Sequence, residues 1–154
     1  ILDQLNISYK KYNHPPVFTV EETDKLHLEI EGAHTKNLFL RNKKKTNYYL
    51  VAVLAHKRVD LKKLTKDLNE DRLSFGSPDD LQKYLGLRPG SVSVFGLIND
   101  KEKKIKVIVD NDFFKNEKIG FHPNDNTATI VISAEDLKKF LATTKNQVSF
   151  QDFN

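Results

Sequence analysis

The stretch "NLFLRNKKKTNYYLVAVLA", residues 37–55, constrains this chain more than any other. Two apolar runs, "NLFL" and "YYLVAVLA", flank the polar tip "RNKKKTN", which is the pattern of a β-hairpin. Other strand-like pieces surround it. "SYKKY" (8–12) alternates weakly as a first strand, and "RLSF" (72–75) is a brief one. "SVSVFGLI" (91–98) and "KIKVIVD" (104–110) read as a strand pair around "NDKEK". "IGFHPNDNTATIVIS" (119–133) reads as a Gly/Pro/Asn loop running into a β-branched strand.

Helix starts are interleaved with these strands. "ILDQLNI" reads as the end of a short amphipathic helix, after which His14-Pro15-Pro16 blocks regular structure. Thr19 and Glu22 have capping-box spacing ahead of "KLHLEI", a segment that Gly32 ends. Asp60 caps "LKKLTKDL", whose leucines at 61, 64 and 68 follow helical spacing. Ser77-Pro78 opens another helix, with Pro at the tolerated first position. "LRPG" is a turn, and Ser133 caps "AEDLKKFLATT". Strands interleaved with helices, and mostly joined by hairpins, predict one mixed α/β (α+β) domain over residues 1–154. No repeat, low-complexity stretch or linker divides it.

Composition narrows the function classes. A chain of 154 residues with 38% hydrophobic and 30% charged residues can bury a core as a globular domain. No apolar run approaches the roughly 18 residues that span a bilayer, so no membrane partner is expected. Without Cys, disulfides and thiolate chemistry are excluded, which fits the cytoplasm. The chain has no Met, and its start reads as trimmed from a native one. A net charge of +4 is compatible with a nucleic-acid partner but weaker than a dedicated binder's stripe.

Standard catalytic sets are missing: no G-x-S-x-G elbow, Walker loop, G-x-G-x-x-G or H-E-x-x-H occurs. His14, His27, His34, His56 and His122 show no metal-ligand spacing, so neither metal nor cofactor is expected. Glu21-Glu22 and Asp79-Asp80 sit at helix starts, where the dipole accounts for them. Three stretches stand out. In "HTKNLFL", Lys36 and Asn37 immediately precede an apolar strand, at a rim where pockets open. Lys36 is then either one more solvated lysine or a cation at a binding mouth. In "RPGSVSVFGL", small Ser91, Ser93 and Gly96 follow a tight Pro89-Gly90 turn and allow close approach. "GFHPNDNTAT" is dense in Gly120, His122, Pro123, Asn124 and Asn126, which equally suit a surface turn.

Together, in order, these pieces resemble the YbaK/ProX family of freestanding prolyl-tRNA editing domains, related to the insertion domain of bacterial prolyl-tRNA synthetases. The resemblance rests on "HPPVFTVEE" (14–22), "GAHTKNLFLRNKKK" (32–45), "YYLV" (48–51), "KRVDLKKL" (57–64), "RLSFGSPDDLQKYLGLRPGSVSVFGLIND" (72–100), "GFHPNDNTATIVIS" (120–133) and "DLKKFL" (136–141). Lys36-Asn37 is similar to the branch that deacylates alanyl-tRNA(Pro), with members called PrdX or ProXp-ala. One departure is Val94, near which the family pattern leads to an expected Pro.

The resemblance implies a mostly antiparallel curved sheet flanked by helices. It also implies hydrolysis of a mischarged aminoacyl ester without metal or covalent enzyme nucleophile. Lys36 matches the lysine on which family activity depends, and Asn37 would orient the ester or the substrate amine. His122, Gly96, Ser93 and Gly120 would shape the amino-acid pocket. Lys43, Lys44, Lys45, Lys57 and Arg58 would meet tRNA phosphates, although a solvated hairpin tip explains each of them at least as well. The implied partners are tRNA(Pro) and prolyl-tRNA synthetase, with no DNA. A Cys-tRNA(Pro) deacylase of the same fold, or a non-catalytic tRNA-binding module, remains the alternative.

Overall fold

The computed structural model describes residues 9–13, 33–88, 92–121 and 128–153. The helices expected over "ILDQLNI" and after Thr19, and the turns at Pro89-Gly90 and around His122, lie outside them. The expected hairpin joins β2 (Ala33–Asn42) to β3 (Tyr48–Leu54), antiparallel, with Asn37 opposite Ala52 and Leu40 opposite Tyr49. The other strands are β1 (Lys10–Asn13), β4 (Leu73–Phe75), β5 (Ile105–Asp110), β6 (Lys118–Phe121), β7 (Ala128–Ser133) and β8 (Val148–Gln151). They form one eight-stranded sheet in the order β1-β7-β6-β2-β3-β5-β8, with β4 also on β2. The β1/β7, β6/β7, β2/β3 and β2/β4 pairs are antiparallel, whereas β2/β6, β3/β5 and β5/β8 are parallel. The sheet is therefore mixed, with an antiparallel majority of one pairing.

β3 explains the two-sided architecture. All seven of its residues are buried, and successive side chains of a strand leave on opposite faces. Tyr48, Leu50, Ala52 and Leu54 join a large core with Leu81 and Leu85 of α2 (Pro78–Leu85) and Leu137, Phe140 and Leu141 of α3 (Ala134–Thr144). Tyr49, Val51 and Val53 join a smaller core on the other face, with Leu64 of α1 (Leu61–Asp67), Leu73, Ile108 and Phe153. Each fully buried Val or Leu contributes roughly 1.5–3 kcal/mol, so this strand anchors both layers.

The three helix starts fall where the caps place them. Asp60 accepts from the Lys62 and Lys63 N–H groups, Ser77 from Asp80 N, and Ser133 from Asp136 N. "SVSVFGLI" is a correction: Val94–Asn99 is a 3-10 helix, and β5 pairs with β3 and β8 instead. Ser93 Oγ accepts from Phe95 N at 3.2 Å and turns the chain before a second strand can form. No helix among the described residues is long and apolar enough to cross a membrane.

Candidate functional site

β2 carries the site because its outer edge is interrupted. β6 pairs with Ala33 and His34, and β4 pairs with Leu40 to Asn42. The Gly76 N–H closes one end of the interval by donating to the Phe39 carbonyl at 2.9 Å. Between these contacts, Thr35 to Leu38 have only β3 as a strand neighbour among the described residues. The register also fixes where the backbone points. Ala55 N donates to His34 O at 2.8 Å, so the even-numbered residues of β2 exchange hydrogen bonds with β3. In an antiparallel ladder such pairs alternate with pairs whose polar groups face away. The N–H and C=O of Asn37 are therefore turned into the break, as the Phe39 carbonyl is.

Lys36 and Asn37 lie within β2, not ahead of it as expected, since the strand begins at Ala33. They consequently leave the sheet on opposite faces. Lys36, opposite Val53, shares the face of Leu38, Leu40 and Val51; Asn37, opposite Ala52, shares the face of Phe39 and Leu50. The ammonium of the partly buried Lys36 has no hydrogen-bond or ion-pair partner among the described residues. Burial, and then the positive charge of Arg58, hold its pKa below the ordinary lysine value. Asn37 Oδ1 is fully buried and accepts no hydrogen bond from any described residue. An unpaired buried acceptor costs about 1–3 kcal/mol, so the site holds both an uncompensated cation and an unfilled acceptor.

Gly120 joins this group: it pairs with His34 across β2/β6, and its carbonyl accepts from Thr35 Oγ1 at 2.7 Å. Beyond Phe121 the chain passes to His122, which is outside the described residues. Ser93 and Gly96 are buried, and each has a packing role. Ser93 caps the 3-10 helix. A Cβ on Gly96 would stand 2.7 Å from Leu87 Cδ1 and 3.2 Å from Leu85 Cβ, so this glycine lets the 3-10 helix press on the end of α2.

The five basic residues expected at tRNA phosphates separate. Lys43, Lys44 and Lys45 are exposed at the hairpin tip, and Arg58 is exposed beside Lys36. Lys57 is a correction. Only 8% of its side chain is exposed, and its Nζ lies 2.9 Å from Asp110 and 2.6 Å from Asp112. Burial alone would lower its pKa, but the hydrogen bonds it donates to Asp112 and Asp110 hold it above the usual value. An ammonium committed to two internal carboxylates is not presented to a phosphate.

The tip itself is braced by residues that sequence inspection missed. Asn42 Oδ1 accepts from Thr46 N at 2.9 Å and Asn47 N at 3.0 Å. Glu70 accepts from Asn42, from Asn47 and from the Tyr49 hydroxyl, while Asp71 accepts from Lys43 N at 3.0 Å. Burial, then the bond to Glu70, raises the Tyr49 pKa, so its hydroxyl stays a proton donor. These acids lie 21–28 residues from their partners, and no short motif marks them.

A mixed-sheet domain with an uncompensated cation and an open acceptor at a strand break is suited to a ligand that is both anionic and hydrogen-bond donating. Comparison with known proteins supplies the class: residues 14–140 match the aminoacyl-tRNA editing domain. The chain belongs to that family, and it is an aminoacyl-tRNA deacylase. It is 42% identical over 145 residues to the prolyl-tRNA editing protein ProX of Acetoanaerobium sticklandii, covering 94% of this chain and 88% of the relative. It is 34% identical over 157 residues to the mouse prolyl-tRNA synthetase associated domain-containing protein 1, covering 99% and 92%. The crystal structure of hypothetical protein APE2540 shares the fold, with a TM-score of 0.75 and 16% identity over 99% of this chain and 95% of that one.

Proposed function

We propose that the protein hydrolyses the ester joining alanine to the terminal adenosine of tRNA(Pro), in trans to the prolyl-tRNA synthetase that made the error. The Lys36 ammonium carries this reading: it is a partly buried cation without a counter-charge among the described residues, next in sequence to an open amide. Water adds to the ester carbonyl, the bond to the ribose oxygen breaks, and the proton passes to that oxygen, giving alanine and tRNA(Pro). A fixed cation stabilises negative charge on the reacting end in a site where water screens it less. The relatives named for prolyl-tRNA editing and for association with prolyl-tRNA synthetase support tRNA(Pro) as the carrier.

The need for such an enzyme follows from magnitudes. A pocket built for proline gains only about 1–3 kcal/mol per methylene against a smaller amino acid, so alanine enters it. A second, smaller site can admit alanine and exclude proline by steric clash. A panel of Ala-, Cys-, Ser- and Pro-tRNA(Pro) tests the choice. Ala-tRNA(Pro) should be cleared fastest and Pro-tRNA(Pro) left intact; faster clearance of the cysteinyl ester would assign the protein to Cys-tRNA(Pro) instead.

The braced lysine tip suits long-range contact with phosphates. Lys44→Ala should weaken tRNA binding without changing turnover at saturation. The slope of log affinity against log salt should fall by about 0.7–0.9 for one lost phosphate contact. An unchanged slope in filter-binding titrations would return Lys44 to the solvated surface.

A further inference from the structure

We propose that Phe75 is a stacking platform for a nucleobase that precedes the terminal adenosine, so that the single-stranded 3′ end of the tRNA lies along one face of the sheet from Phe75 toward Lys36. This rests on the deacylase reading and adds to it a contact away from the reacting ester. Phe75 is the last residue of β4 and stands opposite Leu40 on β2. Directly opposed residues of an antiparallel pair share a face, and Leu40 shares its face with Lys36. The two partners differ in burial. Leu40 is fully buried in the small core beneath α1, which takes in Leu73 but stops short of Phe75. The Phe75 side chain is 61% exposed, more than any other large apolar one among the described residues. Its ring meets no other aromatic ring there.

A single exposed Phe is ordinary, but this one has a fixed backbone and charged company. β2 holds it at Leu40, and the Gly76 N–H that follows donates to the Phe39 carbonyl at 2.9 Å. A Cβ on Gly76 would run into the Phe39 ring, so the chain after Phe75 is packed in place. A ring held out on a fixed backbone loses little freedom when a ligand covers it. Along the same face β2 continues to partly buried Leu38 and Lys36, with the Arg58 charge beside Lys36. An aromatic ring leading to two cations is the combination that single-stranded nucleic acid takes, with a base on the ring and phosphates at the charges. The spacing separates the two contacts. Leu40 and Lys36 are four residues apart on β2, about 13 Å at roughly 3.3 Å per residue. A base on Phe75 therefore belongs to an earlier nucleotide than the one at Lys36.

The test measures filter binding of uncharged tRNA(Pro), which needs no hydrolysis. Phe75→Ala should weaken binding by about 5- to 100-fold, the scale of one base stacked on an aromatic ring. Phe75→Trp should retain the affinity, whereas Phe75→Leu, apolar but without a π-face, should recover little of it. Placing an abasic nucleotide at each of the two positions before the terminal adenosine identifies the base. One of them should cost the wild type a similar factor and cost Phe75→Ala nothing further. On Ala-tRNA(Pro), Phe75→Ala should raise KM far more than it lowers kcat, and thermal unfolding should be unchanged. Equal binding by wild type and Phe75→Ala would overturn the contact, leave the ring for a protein partner and leave the deacylase reading intact. So would abasic losses that persist in full in Phe75→Ala. Failure of the wild type to hydrolyse any ester of the tRNA(Pro) panel would overturn both.

Discussion

Lys57→Met is expected to cost about 3–5 kcal/mol of folding free energy, the scale of leaving a buried carboxylate without its partner. Asp110 is fully buried and accepts from Lys57, from the Leu54 N–H and from the Asp112 N–H. The ion pair therefore ties the end of β3 to the end of β5 and to the 3-10 helix Asn111–Lys115 that follows. Removing the ammonium leaves the backbone donors but no compensating charge. Urea unfolding at neutral pH reads this as a lower midpoint with an unchanged slope. The double variant with Asp110→Asn should recover a large part of the loss, because the stranded charge is then gone. The pH dependence has a definite sign. The folded pKa of Lys57 is raised, so its contribution is complete below the ordinary lysine value and disappears as pH rises through the raised one. Asp112 is held below the usual carboxylate range, first by Lys57 and then by Lys115, so its share is present at neutral pH and lost on acidification. A loss below about 1 kcal/mol for Lys57→Met would place this pair with surface bridges and return Lys57 to the candidates for tRNA contact.

What could be read from the sequence divides by the range of the interactions involved. The hairpin was legible because its apolar runs and polar tip are contiguous, and the Asp60, Ser77 and Ser133 caps because each bonds an N–H within three residues. "SVSV" alternates as a strand does. Its 3-10 conformation follows from Ser93 capping and from Gly96 packing on Leu85 and Leu87, contacts that local periodicity does not encode. Lys57 looks like any surface lysine in "HKRVD"; its acids stand 53 and 55 residues away. β8, in "NQVSFQDFN", has only four residues, too few for alternation to show. Lys36 and Asn37 were legible as a pair through the family pattern. Their separation onto opposite faces required knowing that β2 begins at Ala33, and the break beside them required the pairings of β4 and β6.

Lys36→Ala is expected to lower single-turnover deacylation by 100-fold or more, roughly the effect of removing one preorganised electrostatic donor, with little change in stability. The two halves of this prediction share a cause. Among the described residues the ammonium makes no hydrogen bond or ion pair, so its removal breaks no internal contact. It also relieves the burial of a charge and its repulsion by Arg58. The fold makes no use of this ammonium and places it unfavourably, which is what the proposed contact with substrate accounts for. Lys36→Arg distinguishes position from charge: the guanidinium keeps the cation but is planar and bulkier, and partial recovery would show that charge carries most of the effect. The pH profile supplies an independent readout. Because the Lys36 pKa is depressed, activity that needs the ammonium should fall on the alkaline side at a lower pH than an ordinary lysine would give. Arg58→Gln should move that limb upward by removing the neighbouring positive charge. Near-normal turnover by Lys36→Ala would refute the role, and an alkaline limb unmoved by Arg58→Gln would assign the titration to another group.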